Sequence, residues 1–262
     1  MKVTFLGVGS AFSRKNDNSN LLIESGNIKL LIDCARSGPP ALEKYGLSLK
    51  DVTHIFVTHL HADHVGGLEE AAFMTRLVYK QKLIILSTAS LLERLWAHSL
   101  SGGLEYIEEI PGNLSPQTLS DFFTLQPVTA RQWLTLIENP GLRLYLHPTD
   151  HVRGMESYGL EIEEVPGGRE KRFLFSGDTK FDNDLIRHGF QSCSSIFHDC
   201  QLFNSGKNNR LGVHASYHQL VQLPAEIRGR MWLYHYGDTR PLPDAKHDGF
   251  AGFVTGLQSF IF

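Results

Sequence analysis

The stretch Thr58-His59-Leu60-His61-Ala62-Asp63-His64-Val65-Gly66-Gly67 decides how the rest of the chain is read. It places three imidazoles and one carboxylate within six residues, directly after an apolar, β-branched run at 54–58 that predicts a short strand. Ordinary cores do not collect such groups, because each needs a partner once it leaves water. Imidazole and carboxylate are the donors that suit zinc and neighbouring divalent ions, at roughly 2.0–2.2 Å from the ion. A tight turn after the strand directs His59 and His61 to one ion and Asp63 and His64 to a second, about 3.5–4 Å away. Gly66 and Gly67 let the backbone pass close to that site and open the next helix. The competing reading is a set of surface or helix-capping histidines.

Working outward, residues 2–6, 20–24 and 29–32 predict strands, with Gly26-Asn27 as a hairpin turn. Pro39 and Pro40 open a helix that Gly46 stops. Downstream, 66–80 reads as a helix, 83–86 as a buried strand and 88–98 as a helix capped by Thr88. The span 99–140 holds Gly102, Gly103, Pro111, Gly112, Pro116 and Pro127 among short apolar runs and reads as an irregular insert or cap. Strands resume at 142–146, 158–163 and 172–175, the last two joined across Pro166-Gly167-Gly168. A helix after Phe181, a strand at 195–198, a helix at 216–223 and a strand at 230–234 follow. Meander strands first and mixed strands and helices afterwards predict an α/β fold, two sheets face to face with helices outside. Residues 1–262 read as one domain. The run Arg169-Glu170-Lys171-Arg172 reads as a solvated hairpin tip.

Composition narrows the function classes. With 42% hydrophobic and 20% charged residues, the chain is that of a soluble globular protein. A formal charge of -3 offers no general attraction to a phosphate backbone, which disfavours a large RNA partner. Three cysteines, Cys34, Cys193 and Cys200, in no paired spacing fit a reducing compartment. The opening residues lack the apolar core of a signal peptide, and no apolar run reaches a bilayer span, so a cytoplasmic location without membrane attachment is expected.

The H-x-H-x-D-H spacing of His59, His61, Asp63 and His64 at a strand end resembles the metallo-β-lactamase superfamily, and all four signature positions match. The resemblance implies a four-layer αβ/βα sandwich, a hydrolase, and two divalent ions, zinc first with manganese as the alternative. The flavodiiron branch of that fold carries an acidic residue where this chain has His61, which argues for hydrolysis over redox chemistry. The remaining ligands come from the same resemblance. His151, ahead of Tyr158-Gly159, looks like the third ligand of the first metal, with His147 as its rival. Asp178, ending Phe173-Leu174-Phe175-Ser176-Gly177-Asp178, looks like the carboxylate between both metals; the alternative is a cap for the next helix. His235, ending another strand, looks like the last ligand of the second metal, against a buried neutral histidine. His214 resembles the extra histidine of phosphodiesterase branches, against a helix-entry histidine, and His198-Asp199 reads equally as support for the site or as packing. His54, His98, His188, His218 and His247 read as structural or exposed.

The mechanism these residues imply is attack by a metal-bound hydroxide, formed at neutral pH because the ions depress the pKa of bound water toward about 7. His214 would then stabilise or protonate the leaving sugar oxygen, and Asp63 or Asp178 would orient the attacking proton. The opening Phe5-Leu6-Gly7-Val8-Gly9-Ser10 lacks the third glycine of a dinucleotide fingerprint and instead resembles the start of the transfer-RNA nuclease branch. That branch carries a long basic arm for RNA, and none is visible here. The chain therefore resembles, over nearly its whole length, the anti-Pycsar phosphodiesterases that open cyclic mononucleotides in phage evasion of cyclic-nucleotide immune signalling. A transfer-RNA 3′ processing endoribonuclease is the alternative, and a noncatalytic, nucleotide-sequestering protein with a structural metal is the alternative of another class. The resemblance also implies a homodimer, with 99–140 covering the neighbour's site. Tyr106, Phe122, Phe123 and Trp133 in that span are candidates for stacking on a base or for the core.

Overall fold

The computed structural model describes residues 1–202, 212–239 and 241–262. β1 (Lys2–Gly7), β2 (Asn20–Ser25) and β3 (Ile28–Ile32) form the antiparallel meander that the alternation predicts, with Val3 opposite Ile23 and Leu22 opposite Leu31. Gly26 turns the second hairpin at φ 57°, a left-handed angle that costs a residue without Cβ little. α1 (Gly38–Tyr45) carries its prolines in the first turn and ends at Gly46, as a missing N–H and a free φ dictate. The crossover through this helix makes β4 (His54–Phe56) parallel to β3.

The helix expected from residue 66 begins earlier. α2 (Ala62–Val65) is a turn of its own, because the His61 carbonyl accepts from both His64 and Val65. α3 (Leu68–Phe73) runs into a π-type turn at Met74–Val78. β5 (Leu83–Ser87) pairs parallel with β4, and the Thr88 hydroxyl caps α4 (Ala89–Leu95) by accepting from the Leu91 amide.

Residues 99–140 are more regular than their glycines and prolines imply. α5 (Ser101–Leu104) leads to β6 (Tyr106–Ile110) and β7 (Asn113–Pro116), a hairpin that pairs with neither main sheet. α6 (Leu119–Phe122) follows with a Thr118–Asp121 capping box. β8 (Phe123–Pro127) then closes the first sheet beside β5, and β9 (Trp133–Leu136) opens the second. Pro111 and Gly112 make the turn between β6 and β7, while Gly102 and Gly103 lie within α5 and Pro116 and Pro127 end β7 and β8, so the sequence pattern merges short elements into one irregular stretch. Phe122 and Phe123 are core residues, whereas Tyr106 and Trp133 are exposed.

β10 (Asn139–Pro148), β11 (Tyr158–Glu164) and β12 (Arg172–Phe175) repeat the antiparallel opening in the second sheet. α7 (Asn183–Ser192) crosses to the parallel β13 (Ser195–Asp199). α8 (Tyr217–Leu220) and α9 (Ala225–Arg228) lead to the parallel β14 (Met231–Tyr234) and β15 (Gly252–Phe253). β16 (Gln258–Ile261) returns to the first sheet beside β1. Among the described residues, two sheets of seven strands result, ordered β16-β1-β2-β3-β4-β5-β8 and β15-β14-β13-β12-β11-β10-β9.

Aromatic packing joins the sheets. The Phe5 ring on β1 lies 4.9 Å from Phe197, 5.6 Å from Tyr234 and 6.4 Å from Phe175, all on the second sheet. α1 packs on β1 outside the first sheet and α7 on β12 and β13 outside the second, giving the expected helix-sheet-sheet-helix layering. In both halves the parallel strands end toward one rim, where open α/β sheets place ligands.

Candidate metal centre

The motif after β4 delivers its side chains to that rim by alternation and by one helical turn. His59 and His61 flank Leu60 on extended chain, while Asp63 and His64 sit on α2. Gly67 follows because an added Cβ there would collide with the Ala35 carbonyl. From the second sheet come His151 after β10, Asp178 after β12 and His235 after β14. Gly177 aims Asp178: it holds φ 60°, and a Cβ would strike the Tyr158 carbonyl. His235 itself adopts φ 58°, a left-handed angle that costs a residue with a Cβ about 1–2 kcal/mol.

All seven residues meet. His59, His61, His151 and Asp178 form one group that could hold a metal ion, and Asp63, His64, Asp178 and His235 form a second. In the first, His61 Nδ1 lies 3.1 Å from both His59 Nε2 and His151 Nε2, and Asp178 Oδ2 is 3.8 Å from the latter two. In the second, Asp178 Oδ2 is 3.3 Å from His64 Nε2 and 3.4 Å from His235 Nε2, and Asp63 Oδ2 is 3.4 Å from His64 Nε2. Donors bound tetrahedrally at about 2.1 Å stand ~3.4 Å apart. One carboxylate oxygen thus belongs to both groups.

Hydrogen bonds behind the histidines fix which nitrogen faces inward. His64 Nδ1 donates to Asp33 Oδ2 at 2.7 Å, and His151 Nδ1 donates to the Val213 carbonyl at 2.7 Å. The Thr58 hydroxyl gives its proton to Asp33, so its oxygen accepts from His59 Nδ1 at 3.0 Å. The Ser19 hydroxyl donates to the Gly9 carbonyl and accepts from His235 Nδ1 at 3.1 Å. Each of the four therefore turns its Nε2 toward the cluster, the nitrogen that ligates a metal once it carries no proton.

The electrostatics ask for positive charge at the same point. Burial opposes charge on His64, but Asp178 and Asp33, one beside each nitrogen, draw its pKa well above the ordinary value. Burial opposes ionisation of Asp178, yet His235 and His64 more than offset it and hold the carboxyl well below its usual range. Burial, and then the charge of His64, push His59 well down. Among the described residues, Asp178 Oδ1 and His64 Nε2 are buried without a hydrogen-bond partner, an arrangement that costs about 1–3 kcal/mol per group unless a ligand satisfies it. The donor set, its spacing and these orphaned atoms fit a pair of divalent ions.

His214 stands beside the cluster, its Nδ1 2.8 Å from Asp199 Oδ2 and 3.8 Å from Asp178 Oδ2. Burial lowers its pKa, but the bond to Asp199 and the charge of Asp178 outweigh burial and bring it to about 8. His198 is fully buried and turned to its neighbour Asp199. Asp182, not Asp178, caps α7, which removes the capping alternative for Asp178. His147 bonds to Glu161 and is in none of the groups that contain Asp178. Asp33 and Ser19 were not anticipated from sequence; Asp33 carries the same signal as Asp178, an apolar strand ending in a carboxylate. A cavity of about 420 Å³ begins at Leu60 and Ala62, between the motif's histidines, and continues to Leu91, Arg94, His98 and Met155.

The family model for anti-Pycsar protein Apyc1 matches residues 1–260. The anti-Pycsar protein Apyc1 of Paenibacillus harenae is 39% identical over 240 residues, covering 91% of each chain. That of Bacillus phage 010DV004 is 41% identical over 245 residues, covering 91% of this chain and 90% of its own. Among solved structures, the metallo-β-lactamase fold protein YhfI from Bacillus subtilis superposes with a TM-score of 0.76 at 16% identity, covering 99% of this chain and 98% of its own. The short form of human tRNase Z superposes at 0.67 with 19% identity, covering 100% and 99%. The fold is therefore the metallo-β-lactamase sandwich, shared with the transfer-RNA nuclease.

Proposed function

The chain belongs to the anti-Pycsar protein Apyc1 family, and from that premise we propose that it is a metal-dependent phosphodiesterase that hydrolyses cyclic mononucleotides in the cytoplasm. The observation that carries this reading is Asp178 Oδ2, common to two complete donor groups, with His214 within 3.8 Å. His59, His61, His151 and Asp178 would hold one zinc-type ion, and Asp63, His64, Asp178 and His235 the other. When bound, such a pair supplies a hydroxide at neutral pH and neutralises charge on phosphoryl oxygens.

The chain's own groups do the rest. Asp33, Thr58, Ser19 and the Val213 carbonyl keep four imidazoles oriented. Asp63 would orient the attacking water by accepting its proton in a hydrogen bond. Asp199 holds His214 in the protonated form that donates to a phosphoryl oxygen or to the departing sugar oxygen. The 420 Å³ cavity lies within the roughly 300–1,000 Å³ range of small-molecule sites, and its lining includes both the Arg94 cation and the Glu156 carboxylate. Tyr106 and Leu114 are exposed apolar side chains on the β6–β7 hairpin, which supports a homodimer in which this hairpin covers the partner's site.

The test is turnover by the purified protein across 3′,5′-cyclic nucleotides, a bis-phenyl phosphate ester and precursor transfer RNA, beside the Asp63→Ala variant. Cyclic-nucleotide opening that the variant loses supports the proposal. Cleavage of the RNA alone would replace it with the nuclease reading, and binding without turnover with the sequestering one.

A further inference from the structure

His188, which the sequence leaves as an isolated histidine, completes a further cluster that shares no residue with the groups that contain Asp178. Its Nε2 lies 2.6 Å from Glu161 Oε2, and His147 Nε2 lies 3.3 Å from the same oxygen. The two rings are 4.9 Å apart. The three residues come from α7, β11 and β10, so their convergence is a product of the tertiary fold. Glu161 is buried, at 2% exposure, while the His188 side chain is 47% exposed. The cluster therefore has a fixed anionic floor and one side open to water.

From this geometry we infer that His147, Glu161 and His188 form a second, separate binding site for an imidazole-preferring divalent cation such as zinc, nickel or copper. Two imidazoles and one carboxylate with an open position form the donor set of catalytic-type zinc sites. The His147–Glu161 spacing already matches tetrahedral donors, and the His188–Glu161 spacing needs to widen by about 0.8 Å, which a half-exposed side chain on a surface helix can supply. Glu161 Oε1 is occupied by the Arg172 guanidinium at 3.1 Å. That contact cancels part of the carboxylate charge, so the imidazoles provide most of the attraction and the hard cations magnesium and calcium are disfavoured. Bound there, the ion ties α7 to the neighbouring strands β10 and β11 of the second sheet and stabilises the folded chain by mass action.

The experiment is zinc and nickel titration of the chelator-stripped full chain by calorimetry, with metal counted by mass spectrometry after desalting. The wild type is expected to hold one ion per chain more than His188→Ala, with His188→Gln as a second variant in case the first is poorly folded. That extra equivalent is expected to persist in Asp178→Ala, so loss of the main centre is read separately. Equal metal counts in the wild type and both His188 variants would overturn the site. So would disappearance of the equivalent in Asp178→Ala, or uptake of magnesium with the same affinity.

Discussion

Asp33 accepts the Nδ1 proton of His64 at 2.7 Å, and that bond turns the other nitrogen of the ring toward Asp178. A buried carboxylate outside both donor groups thus decides the tautomer of a residue inside one. Asp33→Asn is expected to weaken metal binding by about 10–100-fold, since the amide can donate to Nδ1 and leave a proton on Nε2. Competition against a chromophoric chelator measures this, and wild-type affinity in the variant would remove Asp33 from its orienting role.

Asp178 serves both groups, so Asp178→Ala should empty both. Turnover is expected to fall by more than about 100-fold, the loss typical even of outer partners of a metal ligand. Metal content should fall with it, and a variant that keeps two ions would contradict the shared role.

His214 is set for donation below its pKa of about 8, and the donor is lost as pH rises through that value. Removing the Asp199 bond removes a contribution that raises the pKa, so Asp199→Asn should move the alkaline limb of kcat/KM to lower pH. His214→Ala should lower kcat by about 10²–10⁴-fold and abolish that limb. A limb that stays in place in both variants would assign it to another group.

The β6–β7 hairpin pairs with neither main sheet, so replacing residues 106–116 with a short Gly-Ser link should leave metal content intact. Substrate preference or efficiency toward cyclic nucleotides is expected to change by about tenfold, equivalent to ~1.4 kcal/mol. Unchanged kinetics and unchanged sedimentation would show that the hairpin covers no site.

Phe5 is fully buried between the sheets. Phe5→Ala should destabilise the chain by about 3–5 kcal/mol, read by denaturant unfolding. A loss under 1 kcal/mol would mean that the layers do not depend on this contact.

The motif and the strand-end residues were legible because metal chemistry restricts donor types and because apolar strands that stop at a histidine or aspartate are locally visible. What the sequence hides is support that depends on distant backbone. Ser19 touches His235 across 216 positions, and nothing near either residue announces the pair. The span 99–140 was obscured by the same physics: its elements are so short that turn residues outweigh periodicity. β16 was missed because its fit beside β1 is a tertiary match. Neither half of the chain advertises that it repeats the other, since antiparallel strands followed by parallel ones are a topological likeness without a residue pattern.

The Phe5 cluster has a bearing on catalysis that its distance from the chemistry conceals. His59, His61, Asp63 and His64 ride on one sheet and His151, Asp178 and His235 on the other, so the aromatic wedge between them acts as the spacer that sets their alignment. A slip of one layer by about 1 Å would misplace every donor together, a shift of the size that costs on the order of 10²-fold in rate. The alignment of the donors thus depends on the greasiest part of the interior, and under the proposed function a conservative swap such as Phe5→Leu should be felt in turnover before it is felt in folding.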